Sequence, residues 1–126
     1  MKTALITGGA GLIGQEFVKA VTEQSAVAVI ADIDDTLGKK TQEKLIKELN
    51  TDKVDFVKLD ITSQQSLDDC INILNSKYKR IDALVNNAYP RNENYGRHFF
   101  DVEYDDFVEN VGLNLGGYFI ASQCFA

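Results

Sequence analysis

Apolar positions along this chain fall into two rhythms. Short runs at Lys2 to Thr7, Ala26 to Ala31, Val54 to Leu59 and Ile81 to Asn86 are rich in β-branched and small residues. Between them, apolar residues recur at three and four positions. The first rhythm predicts strands and the second helices. Ala26 to Ala31 is apolar throughout, as a strand covered on both faces requires. Ile13, Phe17, Val18 and Val21 form a helical stripe after the first strand. Leu45 and Leu49 fall in a helix over Thr36 to Asn50. Leu67, Cys70, Ile71, Leu74 and Tyr78 mark a third helix, which Ser63 can N-cap. A polar loop holding the only proline, Pro90, and the only histidine, His98, runs to about Phe100. From Glu103 the chain is predicted helical, with Phe107, Val111 and Leu115 at four-residue steps.

The resulting order, β-α-β-α-β-α-β-α, predicts an α/β fold: a doubly wound parallel sheet with helical crossovers. Right-handed crossovers put the strands in the spatial order 3-2-1-4. A ligand is then expected at the carboxyl ends of the strands, at the switch point between strands one and four. The 126 residues suit one domain, and the net charge of −6 argues against nucleic acid or an anionic membrane surface as partner. Lys39, Lys40, Lys44 and Lys47 are interleaved with Glu43 and Glu48, so they read as a solvated helix face. The longest apolar run, Ala26 to Ala31, is far short of the ~20 residues that span a bilayer. Cys70 and Cys124 offer neither a disulfide framework nor metal-ligand spacing, and both read as small core residues. A cytoplasmic protein without a metal site is the expectation.

The chemistry concentrates where strand one ends. Thr7-Gly8-Gly9-Ala10-Gly11-Leu12-Ile13-Gly14 lies between a strand and a helix. Glycines there let the backbone turn tightly and approach a pyrophosphate, and the amides of the helix N-terminus hold the anion. Asp32, at the end of strand two, is placed to accept hydrogen bonds from both hydroxyls of an adenosine ribose. A 2′-phosphate near Asp32 would meet like charge, costing ~1 kcal/mol in bulk water and ~4 kcal/mol at an effective dielectric of 20. No Arg or Lys lies in the glycine turn or at positions 33–35 to offset it. The expected cofactor is NAD rather than NADP.

Thr7-Gly8…Gly14, Asp32, Leu59-Asp60-Ile61, Asn86-Asn87-Ala88 and Asn114-Leu115-x-Gly117 together resemble the short-chain dehydrogenase/reductases, in order and spacing along the whole chain. The resemblance implies a Rossmann-type sheet. It implies a cofactor site of Gly8, Ala10, Gly11, Leu12, Ile13, Gly14, Asp32, Ile33, Asp60, Ile61, Asn87 and Ala88. Within it Asp60 would meet the adenine amine and Ile61 would lie beside the ring. It also places Asn114 in a catalytic Asn-Ser-Tyr-Lys tetrad. The residues themselves leave Asn114 two readings: a side chain bonded to neighbouring backbone, or the orienter of a proton-relaying water. Gly112, Gly116 and Gly117 are costly in a helix and suggest a bend or close packing around it.

Leu12 and Tyr89 depart from the family's compact branch, which usually has glycine at both positions. The glycines at 8, 11 and 14 match the extended branch of nucleotide-sugar epimerases and dehydratases, whereas Asn-Asn-Ala argues for the compact one. Tyr89-Pro90-Arg91-Asn92 is similar to sugar-modifying oxidoreductases of the flagellin-modification type. No tyrosine here has a lysine four residues later. The chain is therefore expected to be the N-terminal part of a single dinucleotide-binding oxidoreductase domain, inactive alone. Its last helix and fourth strand would need the remaining half or a second copy, and the whole protein is expected to be a homo-oligomer. The substrate is expected to be a small polar molecule, with sugars among the candidates. Arg91 and Arg97 are candidate anion contacts or solvated loop charges. His98, Glu23, Glu43 and the Asp101–Asp106 cluster read as surface groups. The rival readings are an extended-branch epimerase or dehydratase and a non-catalytic NAD-binding module.

Overall fold

A computed structural model describes all 126 residues. Four parallel strands, β1 (Thr3–Thr7), β2 (Val27–Asp32), β3 (Val54–Lys58) and β4 (Ala83–Val85), form one sheet in the order β3-β2-β1-β4. This is the topology that the sequence predicts. Helices α1 (Leu12–Glu23), α2 (Asp35–Leu49) and α3 (Gln64–Tyr78) make the crossovers. After β4 come a long loop, a short 3₁₀ turn at Phe99–Asp101, and helices α4 (Tyr104–Val111) and α5 (Gly117–Phe125). One π turn, Gly112–Gly116, joins α4 to α5, with αR backbone at both junctions.

Side chains on a strand alternate between faces, and here that alternation builds two cores. Leu5, Val29, Ala31 and Val57 pack against Leu67, Cys70 and Leu74 of α3 and Ala121 of α5. Ala4, Ile6, Ala28, Ile30 and Val54 face the other way, onto Val18 of α1 and Leu45 of α2. Asp34 caps α2 by accepting from the Leu37 N–H (2.9 Å), so that helix starts one residue before the expected Thr36. Ser63 caps α3 through the Ser66 N–H (3.2 Å), as the sequence suggested. Cys70 is a core residue, and burial pushes its thiol up to about 12. Cys124 is half-buried and accepts from Gln64 Nε2 (3.3 Å).

Two expectations are corrected. Strand four is shorter than Ile81 to Asn86, because only Ala83 to Val85 lie opposite Ala4 to Ile6 of β1. On α1, Ile13 and Phe17 are exposed while Val18 is buried. Phe17 lies on the side where the sheet stops at β4, lining a groove beside Ala83. Phe107, Val111, Leu115 and Phe119 are likewise exposed.

Candidate functional site

The glycine turn lies between β1 and α1, where the sheet changes direction. Gly8 has φ +62°, and a Cβ there would sit 2.9 Å from the Ala88 backbone. A Cβ on Gly14 would collide with the Gly8 carbonyl oxygen, so this glycine lets α1 start against the turn. Gly11 is the N-cap and has no side-chain cap to offer. The exposed first turn, beginning at Leu12 and Ile13, therefore leaves backbone amides for an anion.

Thr7 ties this turn to β4. Its buried hydroxyl donates to the Val85 carbonyl (3.2 Å) and accepts from the N–H groups of Asn87 and Ala88 (3.0 Å each). Asn87 returns the link, donating from Nδ2 to the carbonyl oxygens of Thr7 (3.0 Å) and Gly8 (3.2 Å). Thr7 carries as many of these bonds as any residue the resemblance assigns. Its only sequence signal was its place at the head of the glycine motif.

Asp32 ends β2 with its carboxylate beside the turn: Oδ2 accepts from the Ala10 N–H (3.2 Å) and Oδ1 from the Asp34 N–H (3.1 Å). Ala10 is itself buried and so acts through its backbone. Asp60 is positioned by two bonds to Thr62, from N–H (2.9 Å) and Oγ1 (2.6 Å), and its own N–H donates to Ser66 Oγ (2.9 Å). Gly8, Asp32, Ile33, Asp60, Ile61 and Ala88 line one cleft of about 170 Å³ at the carboxyl ends of the strands. Ile33 is exposed there, whereas Ile61 is buried against α5, where a Cβ on Gly117 would lie 2.8 Å from Ile61 Cδ1. Tyr89 and Pro90 also line this cleft; neither was among the expected cofactor residues, although both directly follow Asn-Asn-Ala.

Asn114 sits on the π turn. Its Nδ2 donates to the carbonyl oxygens of Pro90 (2.7 Å) and Asn110 (2.9 Å), while its buried Oδ1 has no partner. The amide thus bonds neighbouring backbone through its donors and keeps an acceptor unused. Gly112 and Gly116 bound the turn in open space, whereas Gly117 allows close packing on Ile61.

The loop after β4 corrects the sequence reading at one acid. Asp106 was expected on the surface, but its side chain is only 14% exposed. Its Oδ1 accepts from Asn92 Nδ2 and Asn94 Nδ2 (2.9 Å each), and Asn110 Nδ2 bonds both Asn92 Oδ1 (2.9 Å) and the Asp106 carbonyl (2.8 Å). Three asparagines, two from the loop and one from α4, fold over the acid, which no local pattern announces. Arg97 is engaged within the loop, donating to Asn94 Oδ1 (2.8 Å) with its Nη1 3.8 Å from Glu103 and 3.7 Å from Asp106. Arg91 lies over the Tyr95 ring, and the Tyr95 and Tyr89 hydroxyls are 3.0 Å apart. His98 is exposed, with Phe100 as its ring neighbour.

A glycine turn feeding an uncapped helix, with an acid closing the neighbouring strand, at the switch point of a doubly wound sheet, is the arrangement in which folds of this class hold dinucleotides. A family model described as short chain dehydrogenase matches residues 2–126, and the chain belongs to that family of oxidoreductases. It is 31% identical over 125 residues to the post-translational flagellin modification protein A of Campylobacter coli, covering 98% of this chain and 48% of that protein. A short-chain dehydrogenase from Novosphingobium aromaticivorans superposes with a TM-score of 0.85 at 27% identity, over 98% of this chain and 44% of that one. The 3-ketoacyl-(acyl-carrier-protein) reductase of Brucella melitensis, solved with NADH, gives 0.80 at 27% identity, over 97% and 47%. The chain spans about half the length of the curated relatives it matches.

Proposed function

We propose that the protein, within a longer chain, is an NAD-dependent oxidoreductase acting on a hydroxyl or carbonyl carbon of a small polar substrate, a sugar being one candidate. The observation that carries the cofactor choice is Asp32: its carboxylate lines the cleft beside the glycine turn, and Asp34 and Asp35 follow it. A ribose diol finds acceptors there, while a 2′-phosphate finds three acids and no cation among positions 32–35. The residues present fit the group. Gly8 and Gly14 leave the space that a Cβ would fill, and the first turn of α1 offers amides to the pyrophosphate. Asp60, Ile61 and Ala88 bound the adenosine side. The nicotinamide, when bound, supplies the hydride acceptor or donor. Asn114 is assigned to the catalytic end, as a residue whose free Oδ1 orients a donor near the reacting centre. No tyrosine among these 126 residues has a lysine four positions later, so the acid/base pair that the family resemblance implies is not among them, and the 126 residues alone are expected to be inactive.

Fluorescence titration of the full-length protein with NADH and NADPH tests the reading. NADH is expected to bind tighter. Asp32→Ala should weaken NADH by about tenfold, one charge-assisted hydrogen-bonding group being lost, and narrow the gap to NADPH. Tighter NADPH binding by the unaltered protein would overturn the cofactor assignment.

A further inference from the structure

Gln15, one residue past the glycine motif, carries two side-chain hydrogen bonds outside the cleft. Its Nε2 donates to the Ala10 carbonyl (2.8 Å), and its Oε1 accepts from Lys44 Nζ of α2 (3.1 Å). An ammonium only donates and a carbonyl oxygen only accepts, so these partners fix which end of the amide faces which. The Gln15 N–H also donates to the Gly11 carbonyl (3.0 Å), the bond that opens α1.

The Ala10–Gly11 peptide leads into that helix. Its N–H goes to the Gly8 carbonyl (3.1 Å), and its carbonyl has Gln15 as sole partner. The units before it are held by others. The Gly9 N–H donates to the Ala31 carbonyl (3.3 Å) and the Ala10 N–H to Asp32 Oδ2 (3.2 Å). Gly11 has φ −75°, but glycine takes either sign of φ at little cost, so the peptide ahead of it turns over easily unless both its ends are held. Turned over, it would lose both bonds and shift the entry to α1. The exposed first turn at Leu12 and Ile13, whose amides face an anion, depends on that entry.

We infer that Gln15 is a positioning residue of the cofactor site. It pins the Ala10–Gly11 peptide so that the first turn of α1 meets a pyrophosphate already in place, and Lys44 orients it from α2. This rests on the oxidoreductase reading above and deepens it, because a turn ordered in advance binds tighter than one ordered by its ligand. The clamp is complete within β1, β2, α1, α2 and the turn between them. Lys19, one helical turn beyond Gln15, pairs with Glu48 of α2 (3.1 Å), so this face of α1 is turned to α2. Phe17 lies on the other side, in the groove beside Ala83 where the sheet stops. Chain that continues the sheet past β4 therefore arrives away from Gln15.

The test titrates the full-length protein with NADH by fluorescence and reads ADP and adenosine by displacement of NADH. Gln15→Met keeps the length of the side chain and removes the donor. It is expected to weaken NADH and ADP by about five- to tenfold, as the loss of one hydrogen bond does, and to leave adenosine, which lacks the pyrophosphate, within about twofold. Equal losses for ADP and adenosine would mean a general loosening of the fold and would overturn the clamp. Lys44→Met should weaken NADH by about two- to threefold in the unaltered protein and not at all in the Gln15→Met background. The same loss in both backgrounds would show Lys44 acting on the anion by charge, and would overturn its part in orienting Gln15. If Gln15→Met does not fold, Lys44→Met, at an exposed position of α2, decides by the same comparison of ADP with adenosine. An unaltered protein that binds neither NADH nor ADP would count against the oxidoreductase reading. One that binds both, with Gln15→Met binding them equally well, would overturn the clamp alone.

Discussion

Thr7 holds three hydrogen bonds with one hydroxyl, to residues roughly eighty positions away in the chain. Thr7→Val keeps the shape and removes the acceptor for two N–H groups, Asn87 and Ala88. Leaving such groups unpaired costs about 1–3 kcal/mol each, so an overall loss of about 2–6 kcal/mol is expected by urea denaturation. NADH affinity should fall with it, because Gly8 is placed by the same contact. A stable Thr7→Val protein with undiminished affinity would show that Asn87 alone, through its bonds to the Thr7 and Gly8 carbonyls, suffices. Asp106 makes the complementary point. A run of acids reads as a charged surface, yet one member is folded under three asparagines, a placement that depends on where the loop after β4 returns over α4.

At the scale of elements, α2 lies close to β3 because Gly38 faces the Phe56 ring, where any Cβ would collide with the ring carbons. Phe56 is half-buried and packs beside the core shared with α1 and α2. Gly38→Ala should gain helix propensity and still destabilise by about 1–3 kcal/mol through overpacking. Gly38→Ala combined with Phe56→Leu should recover part of that loss, a coupling that a double-mutant cycle measures directly. Additive effects would mean that the helix shifts rather than strains. The turn around Asn114 is likewise a property of the element: glycines at 112 and 116 tolerate a π turn, and that turn brings Asn114 Nδ2 to the Pro90 carbonyl.

Over the whole molecule, charge and apolar exposure make two predictions. Burial pushes the Asp55 carboxyl up, but hydrogen bonds from Lys77 (2.6 Å) and Tyr78 (2.6 Å) outweigh it and hold the group below the usual aspartate range. A depressed folded value means that stability from this cluster is fully present above the unfolded aspartate value of about 4 and lost as pH falls through the lower folded one. Asp55→Asn should therefore flatten the acid limb of the stability–pH curve, and an unchanged limb would refute the assignment. The second prediction concerns association. Phe107, Val111, Leu115 and Phe119 are exposed, and β4 is an open sheet edge three residues long. Covering ~400 Å² of such surface is worth about 10 kcal/mol at ~25 cal/mol per Å². The 126 residues by themselves should associate with rising concentration in sedimentation velocity; a monodisperse, cooperatively unfolding monomer would contradict this.

The strand order, the glycine turn and the acid at the end of β2 were legible in the sequence because each rests on a local rule. A two-residue or 3.6-residue period sets the element, and a backbone that must turn at Gly8 and admit α1 at Gly14 demands glycine within a few residues. The asparagine knot around Asp106, the reach of Thr7 across to Asn87 and Ala88, and the exposure of Ile13 and Phe17 were decided only by the tertiary structure. Each depends on which distant segment arrives opposite a residue, and side-chain burial is set by that neighbour rather than by the residue's own place in a repeating pattern.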